Sequence, residues 1–538
     1  MGFSPVGTVK NIFHDLQNAP EAQYISSVAA PTQLPSQGSL TAPEKVYFLD
    51  SNTSLSRNSS LDSNAEEVQA RETPNLRTTK NPFNLLDAVV KAAGSRWTLG
   101  IVLLLLVVWG ILGAVFGPTD TWQVILQDVS SIQAYISATL LMRQQNNNTK
   151  SLLGRICGLI SRSESNERMV GSLTMEQRAT LRMSTQRMRA NIVDTLHEKE
   201  DFFDKAANGV AKATGSLISS GIYWAGIIAW VVLGIPLQFS DTWQLYVNTA
   251  TALEITFVTV FLQNIRTQHD KHLDKIVKVI EQLDKDIEIQ LRRMTGNLEP
   301  NPIIASEPAR LTKWEKGIDV YAYIIGGTFG IAISVIVFAI WLAVGDPMNF
   351  DDNWFLIIGT YTGLVGFIDG FVLKNVDARE TKMANMHFQR LISQDSKIFS
   401  LIGIEIPIST VPSKASLNMR ISRTIGRWVE STSASYAAVG TVVALVVVAS
   451  AMQWTETGQL LCNTPTMIVE GFLLITLLQA HNMADNRRRT TYEDILNRRL
   501  VLDKHLAAWR NVTDSDDSSI GEKYEAVTYI GQINGLDV

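Results

Sequence analysis

Residues 98–116 read TLGIVLLLLVVWGILGAVF, 19 residues without one charged side chain. A helix of that length spans about 28 Å, the thickness of a bilayer's hydrocarbon core. Three similar runs follow, at 216–237, 321–344 and 435–452. A very short connector after each leads into a second apolar stretch, at 121–142, 242–262, 354–373 and 458–478. The second stretches carry isolated polar residues but are still long enough to span. The expected fold is an all-α integral membrane protein: eight transmembrane helices in four tight hairpins.

Basic residues set the orientation. The connectors GPTD (117–120), QFSD (238–241), GDPMNFDDN (345–353) and QWTET (453–457) hold no Lys or Arg. The opposite side carries Arg143, Arg155, Arg178, Arg187 and Arg189, then Lys271, Lys275, Arg292 and Arg293. Arg420, Arg423 and Arg427 follow, and then Arg487, Arg488 and Arg489. Positive residues stay cytoplasmic, so both termini and the long loops are expected in the cytosol.

Composition narrows the classes further. The chain has 538 residues, 47 Lys+Arg and 52 Asp+Glu, a formal charge of −5. That balance gives no footprint for a nucleic-acid partner. Two distant cysteines, Cys157 and Cys462, exclude a disulfide framework or a Cys-based zinc module. Residues 1–30 lack the apolar core of a signal peptide, and Val6 stands where myristoylation wants Ser or Thr. No P-loop, triad, HExxH or paired CxxC is present, so no enzyme and no bound cofactor are expected.

Residues 1–80, with NTSLSRNSSLDS at 52–63, read as a disordered cytosolic arm. Arg57 ahead of Ser59 and Ser60 suits a kinase, although a solvated tail is the plainer reading. The hairpins occupy 81–150, 199–290, 312–395 and 418–510, the last three each with a cytosolic helix, and a cytosolic tail fills 511–538. Leu273, Ile276, Val279, Ile280 and Leu283 recur at helical spacing, as for a membrane-surface or helix–helix face.

The hairpins resemble one another. Asp120-Thr121-Trp122-Gln123 recurs as Asp241-Thr242-Trp243-Gln244, as Asp352-Asn353-Trp354-Phe355 and, decayed, as Glu456-Thr457-Gly458-Gln459. A leucine stands 21 positions after the acid in the first three (Leu141, Leu262, Leu373), and one extra residue brings the fourth to Leu478. Trp122, Trp243 and Trp354 read as interface anchors. Repeats with an even number of spans all point one way, so they are parallel repeats around a pseudo-symmetry axis along the membrane normal. A dimer of similar pairs is the other arrangement.

That alignment equates Gln133, Glu254, Val365 and Glu470. A charge at such depth costs at least ~3 kcal/mol and is usually functional. With the second and fourth repeats opposed, Glu254 and Glu470 would hold a divalent cation between them. Positions 3, 10, 13 and 17 after the corner acid share a helix face. They give Gln123, Ser130, Gln133 and Ser137; Gln244, Thr251 and Glu254; Thr362 and Asp369; and, allowing the extra residue, Gln459, Met467 and Glu470. Such a stripe lines a cavity or bonds helix to helix. Asp120, Asp241, Asp352 and Glu456 would form the entrance and Asp369 the exit. Asp128 falls off the stripe, as a further metal ligand or a structural partner. Cys462 and Met467 are soft donors suited to copper or iron. His481 and His387 stand where a metal would leave. Gly359, Gly363, Gly366 and Gly370 make a ridge for close helix packing.

FSDTWQLYVNTATALEITFVTVFLQN (239–264), preceded by FDKAANGVAKATGS (203–216), resembles the single hairpin of the bacterial low-affinity iron permease family. DTWQVILQDVSSIQAYISATLLMRQQ (120–145) is similar to the corresponding hairpin of fungal low-affinity iron transporters. The resemblance covers roughly residues 80–510. It implies a plasma-membrane importer of Fe2+, with Zn2+ and Cu2+ as further candidates. Divalent metal ions and the lipid bilayer are then the partners, and a homodimer is compatible. The alternative is a cation channel or a non-transporting scaffold whose buried acids are structural pairs.

Overall fold

The structure, a computed structural model, describes residues 25–27, 85–117, 119–183, 202–306, 311–406 and 417–516. The arm at 52–63, Ser59, Ser60 and the tail beyond 516 lie outside these residues.

Four very long helices organise the chain: α3 (Asp120–Ser172), α7 (Asp241–Thr295), α10 (Asp352–Ile402) and α13 (Glu456–Asp516). Shorter apolar helices precede them: α2 (Arg96–Phe116), α6 (Leu217–Gly234), the pair α8 (Lys313–Gly326) and α9 (Thr328–Gly345), and α12 (Thr432–Ala451). Flanking helices α1 (Leu85–Ala93), α4 (Met175–Met183), α5 (Phe202–Thr214) and α11 (Leu417–Val429) complete the helical set. Strand β1 (Ile25–Ser27) pairs antiparallel with β2 (Ile304–Ser306), and both strands lie along α3. Among the described residues seven helices are long and apolar enough to cross a membrane, and the pair α8–α9, bent by 60°, makes an eighth if taken as one span.

The corner motif works as a helix start. Thr119, Ser240 and Asp351 each accept a hydrogen bond from the backbone N–H of the tryptophan three residues on. Thr455 does the same for Gly458. The acid that follows each cap lies in the first helical turn, where the helix dipole favours negative charge. The tryptophans also clasp the hairpins. Trp122, Trp243 and Trp354 stack on Trp109, Trp230 and Trp341 of the preceding helix, with ring centroids 3.7, 3.9 and 4.2 Å apart. Their indole N–H groups donate across the hairpin to each other's carbonyls in the second and third hairpins. A tryptophan needs a partner for its N–H when buried, and here the hairpin supplies it.

The turns fix the register. Phe239, Phe350 and Trp454 each donate a backbone hydrogen bond at 2.9 Å to the carbonyl five residues earlier, from a left-handed backbone with φ of 51°, 50° and 55°. Each stands two residues before its corner acid. The fourth hairpin therefore needs no extra residue, and Leu477 rather than Leu478 is the counterpart of Leu373.

The long helices pack in a ring. α3 runs along α7 and α10, and α13 runs along the other side of α7 and α10. Thus α7 and α13 are neighbours, and the expected opposition of the second and fourth repeats is not what forms. Each outer helix leans on the next long helix around the ring: α2 on α7, α6 on α13, α12 on α10, and α8 on α3. The outer helices are largely exposed within the chain, as lipid-facing helices should be.

Beyond the apolar stretch the same four helices continue as a bundle. Ile156, Ile160, Ile276, Ile280, Phe388 and Tyr492 share its core. The Leu273–Leu283 stripe is thus a helix–helix face, continuous with the span because no Gly or Pro interrupts it. Two buried ion networks cross this bundle. Glu288 takes Arg162 at 2.8 Å and Arg292 at 2.9 Å, and Arg499 bridges Asp395 at 2.6 Å to Asp284.

Candidate functional site

Counted from the corner acid, positions 7, 10, 14, 18, 21 and 25 fall on one face of each long helix. Position 7 holds Gln127, Asn248, Gly359 and Asn463. Position 10 holds Ser130, Thr251, Thr362 and Thr466, all buried. Thr251, Thr362 and Thr466 share one geometry, with the hydroxyl near the carbonyls three and four residues earlier in its own helix. Their hydroxyl protons go to the backbone, which leaves oxygen lone pairs for other uses.

Position 14 holds Ala134, Ile255, Gly366 and Glu470. Below it lies a cavity of about 20 Å3, walled by all four long helices and bearing three polar side chains: Glu470, Asp369 and Thr259. That volume suits one water-sized occupant. Position 21 then places Leu141, Leu262, Leu373 and Leu477 together in one apolar cluster under the cavity. On the far side, Val124, Leu245, Leu356 and Leu460 form another cluster, one residue from each helix. The polar column is thus closed at both ends.

Glycine makes room for the acids. A Cβ at Gly366 would come within 2.6 Å of a Glu470 carboxylate oxygen, and one at Gly363 within 2.6 Å of the Asn463 carbonyl oxygen. The ridge on α10 permits close packing, and it also gives polar side chains of α13 a floor.

Asp369 is fully buried and accepts one hydrogen bond, from the Tyr321 hydroxyl at 2.7 Å, while its other oxygen has no partner. Glu254 lies elsewhere. Its carboxylate rests against Gly471 and near the Tyr223 hydroxyl, at the seam of α7 and α13, and both its oxygens lack partners. It also opens onto an apolar groove lined by Leu103, Leu106, Val107 and Phe257. In the corrected register Glu254 is at position 13 and Glu470 at position 14, so the two are not equivalents. They occupy adjoining sides of α13 rather than facing across the axis. Among the described residues no Lys, Arg or His stands within ion-pair distance of Glu254, Glu470, Asp369 or Asp128.

The remaining candidates scatter. Gln123 accepts from Thr249 at 3.2 Å, Gln244 is buried, and Gln459 donates to Asn353 at 3.2 Å. Gln133 is half-buried and does not line the cavity. Asp120 and Glu456 are exposed, and Asp241 accepts from Thr457 at 3.2 Å. The side chain of Asp352 lies outside the described residues. Asp128 packs against Gly359. Met467 packs with Ala134, Ala252 and Ile255. The Cys462 thiol donates to Leu445 of α12 at 3.0 Å, away from the axis. His387 bonds Ser306 at 2.9 Å and is held below the usual histidine range by burial.

Past the leucines, position 25 holds Gln145, Arg266, Asp377 and His481. Arg266 donates to Gln145 at 3.2 Å and stands 4.0 Å from Asp377. The His481 ring stacks on His269, which lies 3.3 Å from Asp485. Burial holds His481 well below its ordinary range and pushes Asp485 up to about 6. Among the described residues no three His, Cys, Asp or Glu side chains are grouped as a metal centre.

Asn248, Asn463, Thr466, Arg266 and the fourth leucine, Leu477, escaped the sequence reading. Counting from the turn instead of from the leucine would have found them.

Comparison with known proteins identifies the family. The sequence model of a family described as low affinity iron permease matches residues 84–200, 203–297, 319–410 and 418–530. The chain is 38% identical over 499 residues to the low-affinity iron/zinc ion transport protein fet4 of Schizosaccharomyces pombe, covering 92% of this chain and 85% of that protein. It is 36% identical over 451 residues to the low-affinity Fe(2+) transport protein of Saccharomyces cerevisiae, covering 78% and 82%. No solved structure matches. Both relatives are named as transport proteins, and this multi-pass membrane protein belongs to the low affinity iron permease family.

Proposed function

We propose that this chain imports Fe2+ with low affinity across the plasma membrane, through the axis of its four long helices. The observation that carries the reading is the axial cavity lined by both Glu470 and Asp369 without a compensating cation among the described residues. An uncompensated buried carboxylate is costly, and a passing dication would remove that cost. Structural pairing, the alternative for these acids, finds no cationic partner among the described residues.

Low affinity follows from the chemistry. Among the described residues no three strong ligands converge, so a cation meets hydroxyls, amides and carboxylates in series. Conduction needs binding favourable enough to enter and weak enough to leave. The S. pombe relative's name includes zinc, and oxygen ligands accept Zn2+ as well as Fe2+. Copper lacks such support, because Cys462 and Met467 are held by packing and by the Leu445 carbonyl.

In this reading the chain crosses the bilayer eight times, as four parallel hairpins around an axis along the membrane normal. Both termini lie in the cytosol. The shared turns, caps and hydroxyl geometry support the repeat. One chain closes the ring, so the path does not need a homodimer. A membrane potential favours dication entry by ~4.6 kcal/mol per 100 mV, enough to drive uptake without ATP.

The test is radiolabelled iron uptake into proteoliposomes. Glu470→Gln should abolish uptake while the protein still inserts and purifies normally. Uptake at the wild-type rate would remove the axis from the mechanism.

A further inference from the structure

Two helical turns above Glu470, the column contains a second set of buried oxygens that the proposed path leaves unexplained. Asn248 is 0% exposed, and neither its amide oxygen nor its amide nitrogen has a partner. Asn463 is 1% exposed, with its oxygen unpartnered. Asp128 is 5% exposed, with one carboxylate oxygen unpartnered. Buried polar groups are ordinarily hydrogen-bonded, and three unsatisfied side chains at one level need a reason.

The geometry gathers Asp128 and Asn463 around the small residues of α10, and helix register sets Asn248 at the same level on α7. A Cβ at Gly359 would lie 3.2 Å from an Asp128 oxygen and 3.7 Å from the Asn463 amide. A Cβ at Gly363 would lie 2.6 Å from the Asn463 oxygen and 3.2 Å from the Thr466 hydroxyl. Asn248 occupies the same position on α7 that Asn463 occupies on α13, seven residues after the corner acid. Space that side chains on α10 would fill is left to oxygens from α3 and α13.

We propose that Asp128, Asn248 and Asn463, with the Thr466 hydroxyl beneath them, form an outer site for a divalent cation. This inference rests on the axial path proposed above and adds a separate station to it. The donors are one carboxylate, two amide carbonyls and a hydroxyl. Oxygen sets of this kind suit hard or borderline dications and let the ion keep some of its water. The outer site strips part of the hydration shell, and Glu470 about 10.5 Å and Asp369 about 15 Å further in replace more of it. Two stations in series also allow an entering ion to displace the one ahead.

Mn2+ titrated into the purified full-length protein, with free Mn2+ followed by electron paramagnetic resonance, tests this separately from transport. Glu470→Gln should still bind Mn2+ at the outer site. Adding Asn463→Leu and Asn248→Leu should weaken that binding about tenfold or more, since even indirect ligand contacts are worth that much. Asn463→Asp, which keeps the oxygen, should retain binding, whereas a merely structural role would not separate Asp from Leu. In proteoliposomes Asn463→Leu should raise the iron concentration for half-maximal uptake while leaving the maximal rate closer to wild type than Glu470→Gln does. The proposal is overturned if Asn463→Leu and Asn248→Leu leave Mn2+ binding unchanged, or if Glu470→Gln alone abolishes it. Loss of uptake in Glu470→Gln with the outer binding absent throughout would sink the outer site and leave the axial path standing.

Discussion

Gly366 and Glu470 set each other's position. A methyl at residue 366 would sit 2.6 Å from the carboxylate, so Gly366→Ala must displace the one acid that reaches the cavity from α13. Alanine is the better helix former, so the substitution should not weaken α10 by itself. Iron uptake by Gly366→Ala should fall about tenfold or more at normal expression, since displacing a ligand costs at least as much as losing its support. Gly440→Ala, at a site where a Cβ meets nothing within 4 Å, should transport normally. Glu254→Gln should impair uptake less than Glu470→Gln, because Glu254 stands at the seam with α13 and not in the cavity. Equal losses in a side-by-side flux assay would put both on the route. That intramembrane acids matter was legible in the sequence. Which of them face the axis was not, because one misplaced residue in the fourth repeat rotates a side chain by about 100°.

At the scale of elements, the hairpin clasp and the bundle networks carry stability that can be measured. Trp230 and Trp243 stack at 3.9 Å and exchange hydrogen bonds, so a double-mutant cycle should return about 0.5–1.5 kcal/mol of coupling. Residues 445 and 458 are Leu and Gly, so the fourth hairpin lacks this clasp. Arg499→Met leaves Asp284 and Asp395 buried without their shared cation and should cost about 3–5 kcal/mol by denaturant titration. Glu380, held by Gln145 at 2.7 Å and Thr149 at 2.6 Å, is pushed by burial up to about 7 from 4.5. The folded state therefore keeps a proton that the unfolded chain gives up. Its stabilisation is complete below the lower value and fades as pH rises through the upper one. Glu380→Gln should flatten the decline in melting temperature between about pH 5 and 8, and an unchanged slope would place the titration elsewhere. The helices themselves were readable from apolar runs and cap residues. Their continuity into the bundle beyond the apolar stretch was not, because a stripe at helical spacing fits a membrane surface as well as a partner helix.

Across the molecule as a whole, apolar clusters flank a polar column. An apolar ring of Val124, Leu245, Leu356 and Leu460 shuts one end of the polar column, and Leu141, Leu262, Leu373 and Leu477 shut the other. Arg266 then adds a positive charge beneath the leucines. On the proposed axial path a dication meets both apolar clusters, and passage then calls for the helices to part at each. Leu477→Ser should raise the maximal iron flux or make it leaky, as read by fluorescence quenching in liposomes. A flux unchanged by any serine in that ring would show that ions leave by another way. Four-fold repetition was visible in the corner motifs, yet the order of helices around the ring was not. Sequence order places the second and fourth repeats apart, and only packing reveals them as neighbours.

The axial route itself is tested most directly by substituted cysteines in a chain whose Cys157 and Cys462 have been replaced by serine. Thr251→Cys places a thiol in the buried hydroxyl ring, and Leu253→Cys places one on the exposed side of the same helix. Iron uptake by Thr251→Cys should be blocked by Cd2+ and protected by excess Fe2+, with Leu253→Cys unaffected. Block at Leu253→Cys with Thr251→Cys insensitive would show that the metal travels outside the ring of four helices.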